Sequence, residues 1–275
     1  MRRRLDAELV RRGLAPSRER AREAIDAGQV IVSGAPAAKA SRQVGTGEPI
    51  EVLGPRPRFV SRGGLKLDAA LDRFPVEVVG RRALDAGAST GGFTDCLLQR
   101  GAAEVVAVDV GYGQLHERLR SDDRVRNLER TNVRHLEPGH PGLGPPVEVV
   151  VADLSFISLA TVLPALLAVA SPGADVVALV KPQFEAGRAE VSKGRGVVRD
   201  PAVWRRVLDE VAVAVAGAGA TMMDAMVSPL TGAEGNVEFL VHLVAATPGT
   251  DAASPTAVDV DLDAVVADAV SRFGA

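Results

Sequence analysis

Four charged residues, Lys66, Asp153, Lys181 and Glu238, stand where apolar segments end or are interrupted. Val147–Asp153 and Val176–Lys181 are consecutive apolar runs that each close on a charge. Glu238 breaks the run Val237-Glu238-Phe239-Leu240 just after Gly235-Asn236. A charge in such a place is costly unless it has a partner. Two ammonium groups and two carboxylates on one rim suit the removal of a proton from a hydroxyl, a poor nucleophile near neutral pH. A lysine serves as base only when its neutral form is accessible, which partial burial or a neighbouring cation favours. Lys181 is the candidate base and Lys66 the neighbouring cation that orients the hydroxyl. Asp153 and Glu238 would position the two ammonium groups; because carboxylates favour the charged lysine, the sequence leaves the net pKa open.

A second constellation precedes this one. Asp85-Ala86-Gly87-Ala88-Ser89-Thr90-Gly91-Gly92-Phe93 follows an apolar strand and opens a helix. The spacing Gly87-x-x-x-Gly91 is not the G-x-G-x-x-G that cradles a pyrophosphate. It matches the looser D-x-G-x-x-x-G loop of enzymes that bind S-adenosylmethionine, a ligand without phosphates. Asp85 can hold the loop and the amino-acid end of the cofactor. Asp109, 22 residues beyond Gly87, ends the next strand, where it can bind both ribose hydroxyls. Val110 follows it, and Thr131-Asn132 and Asp153-Leu154 would lie around the adenine. The sulfonium methyl is an activated electrophile. An oxygen nucleophile then needs alignment and loss of its proton.

Elements that could hold these residues alternate from about Arg62 onward. Strands are expected at Ala83–Ala86, Val105–Val110, Val147–Asp153, Val176–Lys181, Thr221–Ser228 and Val237–Val244. Helices are expected at Lys66–Phe74, Gly92–Arg100, Gln114–Arg120, Leu159–Ala170 and Ala202–Ala216. This alternation implies an α/β fold with a doubly wound, mostly parallel sheet, whose ligands bind at the carboxyl ends of the strands. The tail Val258–Phe273 reads as a further amphipathic helix after a loose segment, Ala246–Ala257.

The first sixty residues read as a separate module. A helix around Leu5, Leu9 and Val10 closes at Gly13. A second, Arg18 to Ala27, is opened by Pro16-Ser17 and stopped by Gly28. Val30–Val32 and Ile50–Leu53 are short strands, and Ser33-Gly34 a tight turn. Residues 1–60 carry 12 Lys and Arg against 7 Asp and Glu; the rest carries 20 against 28. A basic head on an acidic body suits a polyanionic partner. Arg3, Arg4, Arg11, Arg12, Arg18, Arg20 and Arg22 are the candidate phosphate contacts, although Asp6, Glu8, Glu19 and Glu23 balance part of that face. Aromatics make up 3% of the chain, so RNA would be read by shape and backbone, with the target base splayed out only at the catalytic site.

The single cysteine, Cys96, excludes a disulfide framework and a cysteine-cluster metal site and fits a reducing, cytoplasmic setting. No metal site is expected. No apolar stretch follows the basic Met1–Arg4, so no secretory signal is expected. Leu154–Ala174 is 21 residues without a charge, the length of a membrane span. Pro164 and Pro172-Gly173 break it, and a strand end, a helix and a turn in a water-surrounded core explain it better.

Taken together, Lys66…Asp153…Lys181…Glu238 resembles the K-D-K-E tetrad of the FtsJ-type ribose 2′-O-methyltransferases. The wider motifs resemble the TlyA (haemolysin A) family of rRNA methyltransferases. They are Ser61-Arg62-Gly63-Gly64-x-Lys66, Leu84–Thr94, Asp109–Leu115, Ala152–Leu159, Leu179–Glu185 and Ser228-Pro229-Leu230…Gly235–Phe239. The resemblance covers nearly the whole chain. It implies a Rossmann-like class I methyltransferase sheet over residues 62–245, preceded by an α+β RNA-binding module like that of ribosomal protein S4 over 1–54. A stiff linker at 55–61 and a C-terminal tail at 246–275 complete the division. It further implies methylation of cytidine 2′-hydroxyls in large-subunit rRNA, and in some members small-subunit rRNA, with ribosomal subunits as partners. The linker's two prolines and the extra cation in Lys193–Val198 depart from the expected pattern. Two competing readings are a non-catalytic ribosome-binding or assembly factor, which the intact tetrad disfavours, and a membrane-active haemolysin, which the broken apolar segment disfavours.

Overall fold

Short runs of valine and alanine bounded by turn residues suit strands covered on both faces. The computed structural model describes residues 2–54, 57–187, 190–191, 194, 196–232, 234–247 and 260–274. The chain divides into two compact units, Met1–Ser61 and Arg62–Ala275.

In the first unit, β1 (Arg2–Arg4) leads into α1 (Leu5–Arg11) and α2 (Arg18–Asp26). Then come β2 (Val30–Val32), β3 (Ala35–Pro36), β4 (Gln43–Gly45) and β5 (Ile50–Val52). Ser17 caps α2 by accepting the Arg20 amide at 3.2 Å, which satisfies one of the helix's free N–H groups. Strands β3-β2-β5 form one antiparallel sheet and β1-β4 another. Leu5, Leu9, Ala21, Ile25, Val30, Val32 and Val44 fill the core between them. The basic start is therefore a strand, not a free arm. Neither β1 nor β4 was legible, because arginine, glutamine and glycine carry no alternation signal.

The second unit opens with α3 (Gly63–Arg73), β6 (Arg82–Ala86), α4 (Gly92–Gln99), β7 (Glu104–Val108), α5 (Glu117–Arg120) and β8 (Val125–Leu128). A 3₁₀ turn (Val133–His135) precedes β9 (Val147–Ala152), α6 (Leu159–Ala168), β10 (Ala170–Val180) and α7 (Pro182–Glu185). Beyond these lie α8 (Pro201–Gly217), β11 (Ala220–Val227), β12 (Phe239–Ala245) and α9 (Leu262–Phe273). The seven strands run in the order β11-β12-β10-β9-β6-β7-β8. From β10 to β8 they are parallel, whereas β12 is antiparallel to both neighbours. The order reverses at β6, between β9 and β7, and that is where a ligand crevice opens in such a sheet.

Several elements differ from the expectation. Helix α3 starts three residues early and takes in Gly63 and Gly64. The helix expected at Gln114–Arg120 is a single turn. Strand β8, Val-Arg-Asn-Leu at the sheet edge, was not expected; its mixed composition hides it. Strand β12 begins at Phe239, so Glu238 stands just before the strand rather than in it. The uncharged stretch from Leu154 becomes a loop, α6 with Pro164 inside it, and an irregular start to β10. Among the described residues no helix is long and apolar enough to cross a membrane. The expected tail helix is present from Leu262; residues 248–259 and the departures at Lys193 and Arg195 lie outside the described residues.

Candidate active site

Strand β6 ends on Asp85-Ala86, and the chain then turns through Gly87 at φ +86°. A Cβ at Gly87 would lie 2.6 Å from the Asp153 carbonyl oxygen, closer than any real contact, so only glycine lets the loop lie against the end of β9. The Gly87 and Ala88 amides donate to the Val108 carbonyl at 2.8 and 3.1 Å, and the Asp153 amide donates to Ala86 at 3.1 Å. Loop, β7 end and β9 end are thus one hydrogen-bonded unit. Ser89 also takes a positive φ, +48°, and its amide donates to Asp109 Oδ2 at 2.8 Å. The other Asp109 oxygen accepts the Gly111 amide at 2.7 Å. These two bonds explain why β7 stops at Val108 and not at Val110: the Asp109 carboxylate turns back onto the loops.

Asp85 is fully buried. Its Oδ2 accepts the Thr94 hydroxyl at 2.6 Å, and its Oδ1 finds no hydrogen-bond partner among the described residues. Burial, with the neighbouring Asp153 and Asp109 charges adding to it and the Thr94 bond opposing, pushes its carboxyl up to about 7. Asp109 and Asp153 at the ends of β7 and β9, with the Asp85 carboxyl ionising only near neutrality, disfavour a pyrophosphate and suit a cation. This donor set fits a ligand with an ammonium group, a sulfonium and a ribose. The remaining cofactor candidates are unevenly placed. Val110 is 68% exposed beside Asp109. The Thr131 amide donates to the Asp109 carbonyl at 2.9 Å. Asn132 Oδ1 caps the 3₁₀ turn by accepting the Arg134 amide at 3.0 Å. Gly91, Gly92 and Phe93 are buried at the start of α4, while Thr90 is half-buried and Ser89 exposed.

The four tetrad residues form two ion pairs. Lys66 Nζ lies 2.5 Å from Glu238 Oε2, and Lys181 Nζ lies 2.6 Å from Asp153 Oδ1. Register brings the pairs to one edge: Val180 faces Phe239 across β10 and β12, so Lys181 and Glu238 are the next residues out. Ala178 faces Ala152 across β10 and β9, which sets Asp153 beside them. The pairs differ in burial. Lys66 and Glu238 side chains are 10% and 3% exposed, whereas Asp153 keeps 24%. Glu238 is enclosed by its own loop, since a Cβ at Gly232 would come within 2.7 Å of Glu238 Oε1. Asn236 ties that loop down, accepting from the Val198 amide and donating to the Gly196 carbonyl, both at 3.0 Å.

Three residues near Lys181 were not assigned a part from the sequence. Ser155 Oγ accepts from Lys181 Nζ at 3.1 Å, so the ammonium is held from two sides. Phe156 is 90% exposed, takes φ +65° and meets Phe184 with ring centroids 5.1 Å apart. A bulky aromatic in the left-handed region and in water is unfavourable on both counts. Glu185 accepts the Leu159 amide at 2.8 Å, and burial raises its carboxyl above the usual range. A small pocket beside Lys181 is lined by Ala152, Leu154, Ile157, Leu159, Leu179 and Glu185. All three residues sit inside motif runs already noted, but nothing in a single sequence separates an exposed phenylalanine from a core one.

In the first unit the arginines divide by function. Asp6 is buried and gathers Arg4, Arg18 and Arg22 at 3.1, 2.9 and 3.4 Å. Buried Glu8 holds Arg11 and Arg12 at 2.7 and 2.8 Å. Arg12 also donates to the carbonyls of Glu48, Gly45 and Thr46, so it is a structural strut, 19% exposed in its side chain. Arg20 pairs with Glu23. Arg3 is exposed on β1. Three arginines on one carboxylate leave a net positive surface at Arg4, Arg18 and Arg22. Among the described residues no cluster of His, Cys, Asp and Glu could hold a metal ion.

Comparison with known proteins accords with this geometry. Residues 59–245 match the FtsJ-like methyltransferase family and residues 3–50 match the S4 domain. The 16S/23S rRNA (cytidine-2′-O)-methyltransferase TlyA of Mycobacterium tuberculosis is 54% identical over 241 residues, 87% of this chain and 89% of that protein. Hemolysin A of Brachyspira hyodysenteriae is 38% identical over 241 residues, 88% of this chain and 99% of that one. A solved structure of a hemolysin-named protein of Streptococcus thermophilus is 42% identical, with a TM-score of 0.75 over 99% of this chain and 97% of that one. The chain is an enzyme of the FtsJ-like methyltransferase family, with an S4 domain ahead of its methyltransferase domain.

Proposed function

We propose that this protein transfers a methyl group from S-adenosylmethionine to the ribose 2′-hydroxyl of cytidine in ribosomal RNA. The observation that carries the reading is the paired tetrad, Lys181 with Asp153 and Lys66 with Glu238, beside three strand-end carboxylates. Its 54% identity to the M. tuberculosis enzyme, whose name covers both 16S and 23S rRNA, supports both RNAs as targets, presented as ribosomal subunits in the cytoplasm. Residues 1–54 would serve as the RNA-binding module and 55–61 as its linker.

The cofactor, when bound, supplies the sulfonium methyl as electrophile. Asp109 would accept from the ribose hydroxyls, since each of its oxygens has a lone pair left after the amide bonds. The open Val110 side chain would pack on the adenine. Asp85 and the Gly87–Gly91 loop would hold the amino-acid end. On the acceptor side Lys181, steered by Asp153 and Ser155, would take the hydroxyl proton as the oxygen attacks, acting as the neutral amine after its ammonium has given up a proton to solvent. Lys66, fixed by buried Glu238, would orient that oxygen. Phe156, held out by its left-handed backbone, would stack on the splayed target base. Arg4, Arg18 and Arg22 would bind phosphates and set register rather than sequence.

The reading is tested by single-turnover methylation of unmethylated ribosomal subunits, with the modified ribose mapped by primer-extension stops at low nucleotide concentration. Transfer to a cytidine 2′-oxygen that is lost in Lys181→Ala, while that variant still binds S-adenosylmethionine, is the expected outcome. Transfer to a base atom, or full turnover by the variant, would refute it.

A further inference from the structure

The segment Leu154–Ser158, between β9 and α6, carries Ser155 against Lys181 and Phe156 out into water, so its shape sets both sides of the acceptor site. Its apolar residues do not close it down. Leu154 and Ile157 are only partly buried, and they line a cavity of about 10 Å³ that they share with Lys181 and Glu185. Phe156 at φ +65° needs a restraint from elsewhere, since the left-handed backbone does not hold a bulky residue by itself.

That restraint comes from α7, the single turn Pro182–Glu185 that follows Lys181. Lys181 donates to Ser155 Oγ at 3.1 Å. The Phe184 ring meets the Phe156 ring at 5.1 Å with a tilt of 47°, and its centre lies 5.9 Å from Lys181 Nζ. Glu185 accepts the Leu159 amide at 2.8 Å, where the segment ends and α6 begins. That last bond replaces a local one. Ser158 stands at the N-cap of α6, a position where serine usually caps with its own oxygen, yet it makes no such bond. Its hydroxyl pairs with Thr161 Oγ1 at 2.8 Å, and the free amide is met by a carboxylate 26 residues further on. Glu185 is held there against burial and against the repulsion of Glu210 on α8. Lys181, Phe184 and Glu185 thus grip the beginning, the tip and the end of one short loop.

Resting on the function proposed above, we infer that Phe184 and Glu185 are positioning residues that lock the Ser155–Phe156 loop onto Lys181 before RNA arrives. The ring that takes the target base and the amine that takes its ribose proton then form one preorganised unit. Phe184 meets both of them, and Glu185 ties down the far end of the loop. Neither touches substrate or cofactor. The gain is in rate, because a loop already ordered loses no further freedom when the base is captured.

The test compares wild type with Phe184→Ala, Phe184→Tyr, Glu185→Leu, Glu185→Gln, Phe156→Ala and the double variant Phe156→Ala/Phe184→Ala. Measured are Kd for S-adenosylmethionine and for ribosomal subunits, urea stability, the single-turnover rate at saturating subunits, and hydrogen exchange of the Leu159 amide in the free enzyme. Phe184→Ala should slow the saturated rate about 2- to 10-fold, the strength of one aromatic pair. Glu185→Leu should slow it about tenfold or more, the strength of a hydrogen bond to a charged group, and should speed exchange at Leu159. Phe184→Tyr keeps the ring and Glu185→Gln keeps the acceptor, so both should stay within about twofold of wild type. Cofactor affinity should stay near wild type throughout. With Phe156 already removed, Phe184→Ala should slow the rate less, because its effect runs through that ring. A wild-type saturated rate in either Phe184→Ala or Glu185→Leu would overturn the lock. Equal slowing by Phe184→Ala with and without Phe156 would overturn it too, as would a joint loss of stability and cofactor binding in all four single variants of α7, which would make the turn a part of the core only. Wild-type enzyme that does not methylate subunits at all would instead overturn the function on which this rests.

Discussion

Asp85→Asn offers a direct measure of what the crevice at the ends of β6, β7 and β9 does to the stability of the fold. The Asp85 carboxyl is fully buried, bonded only to Thr94, and raised from 3.8 to about 7. The folded protein therefore holds this proton more tightly than the unfolded chain does. Between about pH 4 and pH 7 unfolding releases it, so stability falls as pH rises through that window and levels off above it. At 1.36 kcal/mol per pH unit, the interval from 3.8 to about 7 corresponds to about 4 kcal/mol of stability lost from this one group. Asparagine keeps an acceptor for Thr94 and cannot ionise. Urea denaturation of wild type and Asp85→Asn at pH 5, 6, 7 and 8 isolates the term, because every other titrating group is common to both. The difference in unfolding free energy should move by a few kcal/mol toward the variant between pH 5 and 8, and salt should change it little. Parallel pH profiles would show that Asp85 is ionised in the fold without cost, and would refute the argument from burial.

Three further outcomes follow from particular contacts. Lys66→Met leaves the Glu238 carboxylate buried and unpaired, and should cost about 3–5 kcal/mol in urea denaturation, with Lys66→Met/Glu238→Leu recovering most of it; Lys181→Met should cost less, because Asp153 keeps 24% of its side chain in water. Asp109→Ala removes the acceptor of the Ser89 and Gly111 amides as well as the proposed ribose contact. Calorimetry should show S-adenosylmethionine affinity falling at least tenfold, with adenosine competing no better than methionine in the variant. Arg18→Ala should weaken subunit binding and reduce its salt dependence by about one counterion, whereas Arg12→Ala, which removes the strut to Glu8 and three carbonyls, should lower the stability of the first unit; equal effects of the two on salt dependence would contradict the division of the arginines.

The family, the sheet and the tetrad residues were legible in the sequence because each is written in local terms. A strand covered on both faces must be a run such as Val147–Ala152, a loop that presses against a carbonyl must have glycine at Gly87, and a charge ending an apolar run stands out at Lys181. Boundaries set by a single side chain were less visible. Asp109 turns back to two amides where β7 ends, and Glu238, just before β12, gives its carboxylate to Lys66, 172 residues away in the chain. Partnership over that distance, and the burial that raises Asp85, are properties of packing, so only the tertiary structure decides them. The same holds for Arg12 and Arg18, which read alike on a helical face and become strut and surface once Asp6 and Glu8 are buried. Phe156 shows the limit most plainly: nothing in a single sequence separates an exposed phenylalanine from a core one, and only the fold, by its left-handed backbone at that position, holds this ring out in water.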